Sequence, residues 1–438
     1  MVNLCFYFQV HQPYRMKKYR VFDIGSSDEY FDEEKNKAVM EKVASKCYVP
    51  TTKMLLRLLE EHPDFKIAFS FSGVFIEQAR RYSPDVLNLF KRIAKHPNVE
   101  ILGETYYHSL AFLRSKTEFA NQIKLHKELI QKEFNKTPRT FRNTELIYSN
   151  WLSDYVAKLG FKIMLAEGIE SILGWRSPNY VYSNKSRTLT ILLKNYQLSD
   201  DIAFRFSDKN WKEWPLTAEK YLAWIKALEG NSDYIGLFMD YETFGEHQWT
   251  ESGIFDFFEH FIKLASKHGV KFINPINALK FKPRDAFDCE QYLSWADTER
   301  DLSAWQGNRM QDDALEKLYL LENKIKQIKR VPRKLAGKYS KLLSSWRKLQ
   351  TSDHFYYMCT KYFNDGDVHK YFNPYDNPYD AYIYFMNILS DLNKRFDDFN
   401  VELKQVAQGF PKSLLPLKAI VSSMKRQNGL VGESSDTY

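Results

Sequence analysis

The sequence predicts an α/β fold: a parallel sheet wound with helices over roughly the first 275 residues, then a helical domain. Three observations predict it. Short apolar runs alternate with amphipathic helical patterns along the first part of the chain. Strand-like runs stop after Pro283. Polar clusters recur immediately after the predicted strands, where a parallel barrel gathers its working residues on one face.

The elements follow in order. Residues 3–10 form a short, aromatic-rich apolar run and read as the first strand. Further strands are expected at 66–71, 98–102, 140–142, 162–166, 188–193, 234–239 and 271–273. Apolar residues at helical spacing predict helices at 38–60, 85–95, 118–134, 151–159, 218–228 and 254–267. No Gly-x-Gly-x-x-Gly follows a strand, which weakens a dinucleotide-binding sheet. Beyond Pro283, Leu315, Leu318, Leu321, Ile325 and Ile328 keep an i, i+3, i+4 rhythm. Pro332 breaks that helix and opens the next, 333–349. Helical patterns at 353–363 and 379–396 complete this half. The expected organisation is a catalytic β/α domain at 1–280, a helical domain packed on it at 281–425, and a polar tail at 426–438.

Composition narrows the function. Apolar residues at 44% and charged residues at 27% exclude a wholly disordered chain. No run approaches the ~20 apolar residues of a membrane helix, and residues 3–10 lack the flanks of a signal peptide. Cys5, Cys47, Cys289 and Cys359 form no CxxC, so neither a zinc ribbon nor a dithiol site is indicated, and free thiols fit the cytoplasm. The net charge of +8 concentrates at 312–350, with 11 Lys+Arg against 4 Asp+Glu. Leucines and isoleucines at helical spacing make that stretch a solvated helix face, and no nucleic-acid motif accompanies it.

The polar clusters are His11-Gln12-Pro13, Ser70-Phe71-Ser72-Gly73, the stretch from Gly103 to His108, Asn143-Thr144-Glu145, and the stretch from Asp240 to His247. Convergence on one barrel face would assemble Glu104, Glu145, Asp240, Glu242 and Glu246 with His11, His108 and His247. Aromatic residues interleave them, including Tyr106, Tyr148, Trp151, Tyr241 and Trp249. Carboxyls among aromatic faces suit carbohydrate, because sugar C–H faces stack on rings and acetal cleavage needs an acid with a nucleophile or base. Zinc is the rival. Yet HExxH and HxxxH are absent, and Gln12 and Pro13 beside His11 are poor ligands. Gly-x-Ser-x-Gly is also absent, which disfavours a serine hydrolase.

Five segments carry a resemblance. They are His11-Gln12-Pro13, Gly103-Glu104-Thr105-Tyr106-Tyr107-His108-Ser109, Phe141-Arg142-Asn143-Thr144-Glu145-Leu146, Asp240-Tyr241-Glu242-Thr243-Phe244-Gly245-Glu246-His247, and Leu293-Ser294-Trp295-Ala296-Asp297. In order, they resemble the signature regions of glycoside hydrolase family 57, and their wording is nearest to its α-amylase branch. The resemblance implies an incomplete (β/α)7 barrel followed by a helical region. Eight strands are predicted here, so one is surplus, and it is expected in the excursion at 180–193. The resemblance further implies a retaining hydrolase of α-1,4-glucan, with Glu145 as nucleophile and Asp240 as acid/base. An acid of that kind must be protonated before attack, and burial beside ionised Glu145 would keep it so.

His11, Glu104, His108, Glu242, His247, Trp249 and Trp295 are the expected substrate contacts. Glu246 is expected in support, and Asp297, Glu299 and Arg300 in an ion-pair network between the domains. Neither cofactor nor metal is expected. The enzymatic alternative is a 4-α-glucanotransferase or branching enzyme, in which a sugar hydroxyl replaces water. The non-enzymatic alternative is a glucan-binding protein, against which the presence of both carboxyls argues.

Overall fold

A computed structural model describes residues 1–363, 373–409 and 414–416, and the tail expected at 426–438 lies outside them. The chain divides into two units. The first comprises Met1–Pro13 and Glu33–Ala304, the second Tyr14–Asp32 and the chain from Trp305.

Among the described residues, seven strands of the first unit run parallel around a barrel. They are β1 (Asn3–Val10), β2 (Ile67–Phe71), β3 (Val99–Ile101), β4 (Thr140–Arg142), β5 (Ile163–Glu167), β7 (Thr190–Lys194) and β8 (Ile235–Asp240). β1 lies between β2 and β8, β2 pairs with β3, and β5 lies between β4 and β7. Two seams join these halves. At the first, Gly103 bridges to Phe141, with Arg142 N–H donating to Gly103 O at 2.8 Å. At the second, Asn195 N–H donates to Gly236 O at 2.8 Å, but β7 and β8 share no ladder, which leaves the barrel incomplete.

The surplus strand is not where it was expected. Residues 190–194 form a full barrel strand, and 182–184 (β6) is an antiparallel addition to it. The surplus is Lys271–Phe272 (β9), which pairs only with Asn3 and Leu4, at the N-terminal end of β1. A two-residue apolar run and a barrel strand look alike in sequence, because pairing length is decided by the partner. The boundary also differs from residue 280. Residues 281–304 stay with the first unit, where Ala286–Phe287 (β10) pairs with β6 and Leu293 bridges to Tyr148.

Period-two alternation explains the layering. Leu4, Phe6, Phe8 and Val10 of β1 join the core beneath the surrounding helices, together with Ile235, Leu237 and Met239 of β8. Cys5, Tyr7, Ala68, Leu102, Ile163, Leu165, Leu192 and Phe238 fill the barrel interior. The expected helix 38–60 is interrupted. Glu33–Val43 (α1) and Val49–Glu61 (α2) flank a wide π-turn at Ala44–Tyr48. Pro50 supplies no N–H, so an uninterrupted ladder is unavailable there. A helix at Gly73–Tyr82 went unpredicted because its apolar face is short, but Ser72 caps it by accepting from Phe75 N–H.

In the second unit, helices Arg309–Gln327, Ala336–Lys348 and Pro378–Gly409 bury Leu315, Leu318, Trp346, Phe385 and Phe396. Buried Asp391 accepts from Tyr30 Oη and Gly25 N–H, both at 2.6 Å, and so ties the 14–32 segment to the last helix. One short strand pair, Arg330–Pro332 with Leu414–Pro416, departs from the all-helical expectation.

The β7–β8 seam depends on Gly236. A Cβ there would lie 2.6 Å from Leu193 O, which is backbone and cannot swing aside. Gly236→Ala is therefore expected to destabilise the first unit by about 1–3 kcal/mol, read as a lowered denaturant midpoint with unchanged slope. An unaltered midpoint would mean that the seam is not tightly held.

Candidate active site

Following the inward parity of each strand to its C-terminal end gives one polar side chain per strand. They are Gln9, Ser70, Glu104, Arg142, Glu167, Lys194 and Asp240. Glu104 lies just beyond β3 and the others are strand residues. Six of the seven are buried, and Asp240 is partly exposed. This layer roofs the apolar interior and floors an opening where His11, Glu145 and Trp295 are also partly exposed.

The layer is cross-linked. Tyr7 Oη and Ser70 Oγ each donate to Gln9 Oε1 at 2.8 Å, and Gln9 Nε2 donates to Glu104 Oε1 at 3.1 Å. His108 then bridges two carboxylates, with Nδ1 3.1 Å from Glu104 Oε2 and Nε2 3.2 Å from Glu145 Oε1. The ring of His11 stacks on that of His108 at 4.0 Å, and His11 Nδ1 shares a 2.7 Å hydrogen bond with Ser72 Oγ. Trp295 Nε1–H donates to Glu145 Oε2 at 2.8 Å, so each oxygen of Glu145 is held.

Backbone conformation aims these groups. His108, Glu145 and Leu146 have φ of 50°, 56° and 51°, in the left-handed region that non-glycine residues avoid. Three such residues at one opening are a local cost met by the buried contacts around them.

Charge separates the carboxyls. Burial opposes ionisation of Glu145, but the hydrogen bond and charge of His108, then Arg142 and the Trp295 N–H, hold it below the usual range. Burial and the Glu145 charge push Asp240 up to about 6, against Arg142, His108 and Lys194. Burial works against a charged His108, yet its bonds to Glu104 and Glu145 lift it to about 9. Glu104 feels the same burial and is drawn to about 2 by His108, His126 and Arg142. Burial and the Asp240 charge raise Glu242 to about 8, and Tyr48 Oη, presented by the π-turn, donates to it at 2.6 Å. The site therefore pairs one carboxyl held ionised with one held protonated up to about pH 6.

The structure gathers Glu145, Asp240, His11, Glu104, His108, Glu242 and Trp295. His247 lies beside Glu246, whose buried carboxylate meets Lys42 at 2.5 Å; the His247 backbone N–H donates to Glu242 O at 3.0 Å, and burial lowers the His247 pKa to about 4. Trp249 is 58% exposed, and no described ring contact or side-chain hydrogen bond ties it to the cluster. Trp295 belongs to the barrel unit and not to the helical one. Arg300 pairs with Glu167 and Asp200 at 3.1 and 3.5 Å, all within the first unit, so the inter-domain network expected of it is not its described role. Sequence reasoning gave no role to Gln9, Arg142, Glu167 or Lys194. Their signal was parity: each is the last inward residue of its strand. Among the described residues, no group of three His, Cys, Asp or Glu side chains is disposed to hold a metal ion.

Comparison with known proteins follows this geometry. The model of the family described as Glycosyl hydrolase family 57 matches residues 5–290. A Methanocaldococcus jannaschii protein named "Putative alpha-amylase" is 44% identical over 395 residues, 89% of this chain and 83% of its own length. A branching enzyme from Pyrococcus horikoshii aligns with a TM-score of 0.66 at 15% identity, over 91% of this chain and 95% of that one. A 4-alpha-glucanotransferase from Thermococcus litoralis gives 0.58 at 17% identity, over 81% of this chain and 56% of that one. At such identities the two structures show a shared fold.

The bridging imidazolium links stability to pH. The pKa of His108 is raised from 6.5 to about 9, so its stabilisation is full below about 6.5 and is lost as pH rises through about 9. The stability difference between wild type and His108→Gln, measured by chemical denaturation, is expected to be largest near pH 6 and to shrink by pH 10. A difference that grows with pH would contradict a charged bridge.

Proposed function

The chain belongs to glycosyl hydrolase family 57, and on that premise we propose that it is a retaining glycosidase cleaving α-1,4-linked glucan. The observation that carries this reading is that Glu145, held at both oxygens by His108 and Trp295, shares the opening with Asp240 at the end of β8, with burial and charge displacing the first carboxyl downward and the second upward.

In this account a Glu145 carboxylate oxygen attacks the anomeric carbon as the bond to the leaving oxygen breaks. Asp240 gives that oxygen its proton. The product is a glycosyl ester on Glu145 and an ionised Asp240. Asp240 next takes a proton from water, which attacks the same carbon and releases Glu145. Trp295 and His108 orient the nucleophile, because they occupy both of its oxygens. His11 and Glu242 border the pair and are proposed sugar contacts, as is Glu104 through its bridge to His108. Trp249 is a proposed outer contact for a longer glucan, given its exposure beyond the loop that follows Asp240. His247 is proposed as a support of that loop. A sugar hydroxyl in place of water would give transfer by the same steps.

No described helix is long and apolar enough to cross a membrane. The cytoplasm is the proposed location, since all four cysteines are free and buried.

Glu145→Gln is expected to lower turnover of maltoheptaose by on the order of 10⁴-fold while binding persists, because volume is kept and the nucleophilic charge removed. Azide should partly rescue Glu145→Ala. Undiminished turnover would exclude Glu145 as nucleophile. The product profile separates the two activities, since only shorter oligosaccharides mean hydrolysis and longer or branched ones mean transfer. Binding without turnover would instead identify a glucan-binding protein. In hydrolysis, kcat/KM is expected to fall as pH climbs through about 6, where Asp240 loses its proton. EDTA should leave the rate unchanged, and loss restored by zinc would revive the metal-hydrolase alternative.

A further inference from the structure

Arg142 is fully buried at the C-terminal end of β4, yet none of its three guanidinium nitrogens has a hydrogen-bond partner among the described residues. Buried cations are ordinarily paired and hydrogen-bonded. A guanidinium that bonds no neighbouring element is not there to tie the barrel together. What it does meet is a ring. Its Cζ lies 4.8 Å from the Trp295 ring centroid, and Lys194 Nζ lies 5.4 Å from the same centroid. That indole donates to Glu145 Oε2. A cation on the face of an indole is held by the ring quadrupole, more strongly when water is excluded. It also draws electron density from the ring and sharpens the N–H as a donor.

We infer that Arg142 is a positioning residue of this site: it seats the Trp295 N–H on the nucleophile and supplies a fixed charge that keeps Glu145 anionic, without touching substrate. The inference rests on the retaining reading above and deepens it. The titratable and charged groups around Arg142 come from every side. Tyr7 stands on β1, Glu104 and His108 follow β3, Lys194 is on β7, and Asp240 is on β8. Among these, only Lys194 and protonated His108 share its sign. Burial raises Glu104 and Glu145, and His108 is the first counterweight, but the Arg142 charge acts on both in the same direction. Arg142 thus reaches Glu145 by two routes, one through space and one through the indole.

The test uses the full chain labelled with ¹⁵N-tryptophan. The Trp295 indole resonance is identified by its loss in Trp295→Phe, and its chemical shift is followed with pH. Because that N–H bonds Glu145, the resonance titrates with the nucleophile and requires no turnover. In Arg142→Gln the midpoint is expected to rise by at least about one pH unit, the usual effect of a nearby opposite charge. Arg142→Lys keeps the charge but not the guanidinium over the ring, so its midpoint should stay near wild type while the indole shift itself moves. The acid limb of kcat/KM on maltoheptaose should follow the same order. A wild-type midpoint in folded Arg142→Gln overturns the inference. Should Arg142→Gln fail to fold, an Arg142→Lys indole shift identical to wild type overturns it instead. A wild type that turns over no glucan defeats the functional reading, while the indole titration still decides the part played by Arg142.

Discussion

Two carboxyl groups that share one desolvated opening repel each other as anions, and the architecture around Glu145 and Asp240 follows from dividing them. One must be charged and the other neutral. Burial alone would raise both. The division is made by placing the cations unevenly: His108 bonds Glu145 directly, and Arg142 stands close behind it. Asp240 receives the opposing pull of those cations only through space, and no described hydrogen bond holds its carboxyl. The left-handed backbone at His108 and Glu145 is the steric consequence, because it turns both side chains into one opening from different loops.

The barrel makes this arrangement reproducible. Inward parity carries Tyr7 below Gln9, Ala68 below Ser70, Leu102 below Glu104, Leu165 below Glu167, Leu192 below Lys194 and Phe238 below Asp240, whereas Arg142 has Thr140 below it. The Gln9 carboxamide converts that layer into a network, accepting from Tyr7 and Ser70 and donating to Glu104. Gln9 is thereby linked to Glu145 through Glu104 and His108. Trp295 closes the other side, and Arg300 fixes its loop by bonding the Trp295 carbonyl and pairing with Glu167.

Much of this was legible in the chain, for physical reasons. The run at residues 3–10 is apolar almost throughout because one face meets helices and the other meets the barrel interior. Asp240 was legible because an apolar strand ends on it and no long helix begins before Ile254, and its side chain does not cap the short 3₁₀ turn at Tyr241–Thr243. The 271–273 run misled because β9 pairs with β1 for two residues only, and a local pattern does not state how long its partner is. The π-turn at Ala44–Tyr48 was hidden behind an unbroken apolar spacing. Trp295 and Glu145 are 150 positions apart, so no local rule could pair them, and the resemblance brought Trp295 forward only as a sugar contact. Arg142 stood inside a quoted motif without a role, since a buried arginine has no meaning until its neighbours are known.

The central claim is that Glu145, and not a water activated by a carboxylate, attacks the sugar. Peptide mass spectrometry after treatment with a 5-fluoro-α-glucosyl fluoride tests it most directly, because the fluorine slows release of a glycosyl ester more than its formation. The account predicts one hexosyl-sized label, on the peptide carrying Glu145 and on that residue. A label on Asp240, or rapid fluoride release with no label and inversion of the anomeric centre, would contradict it.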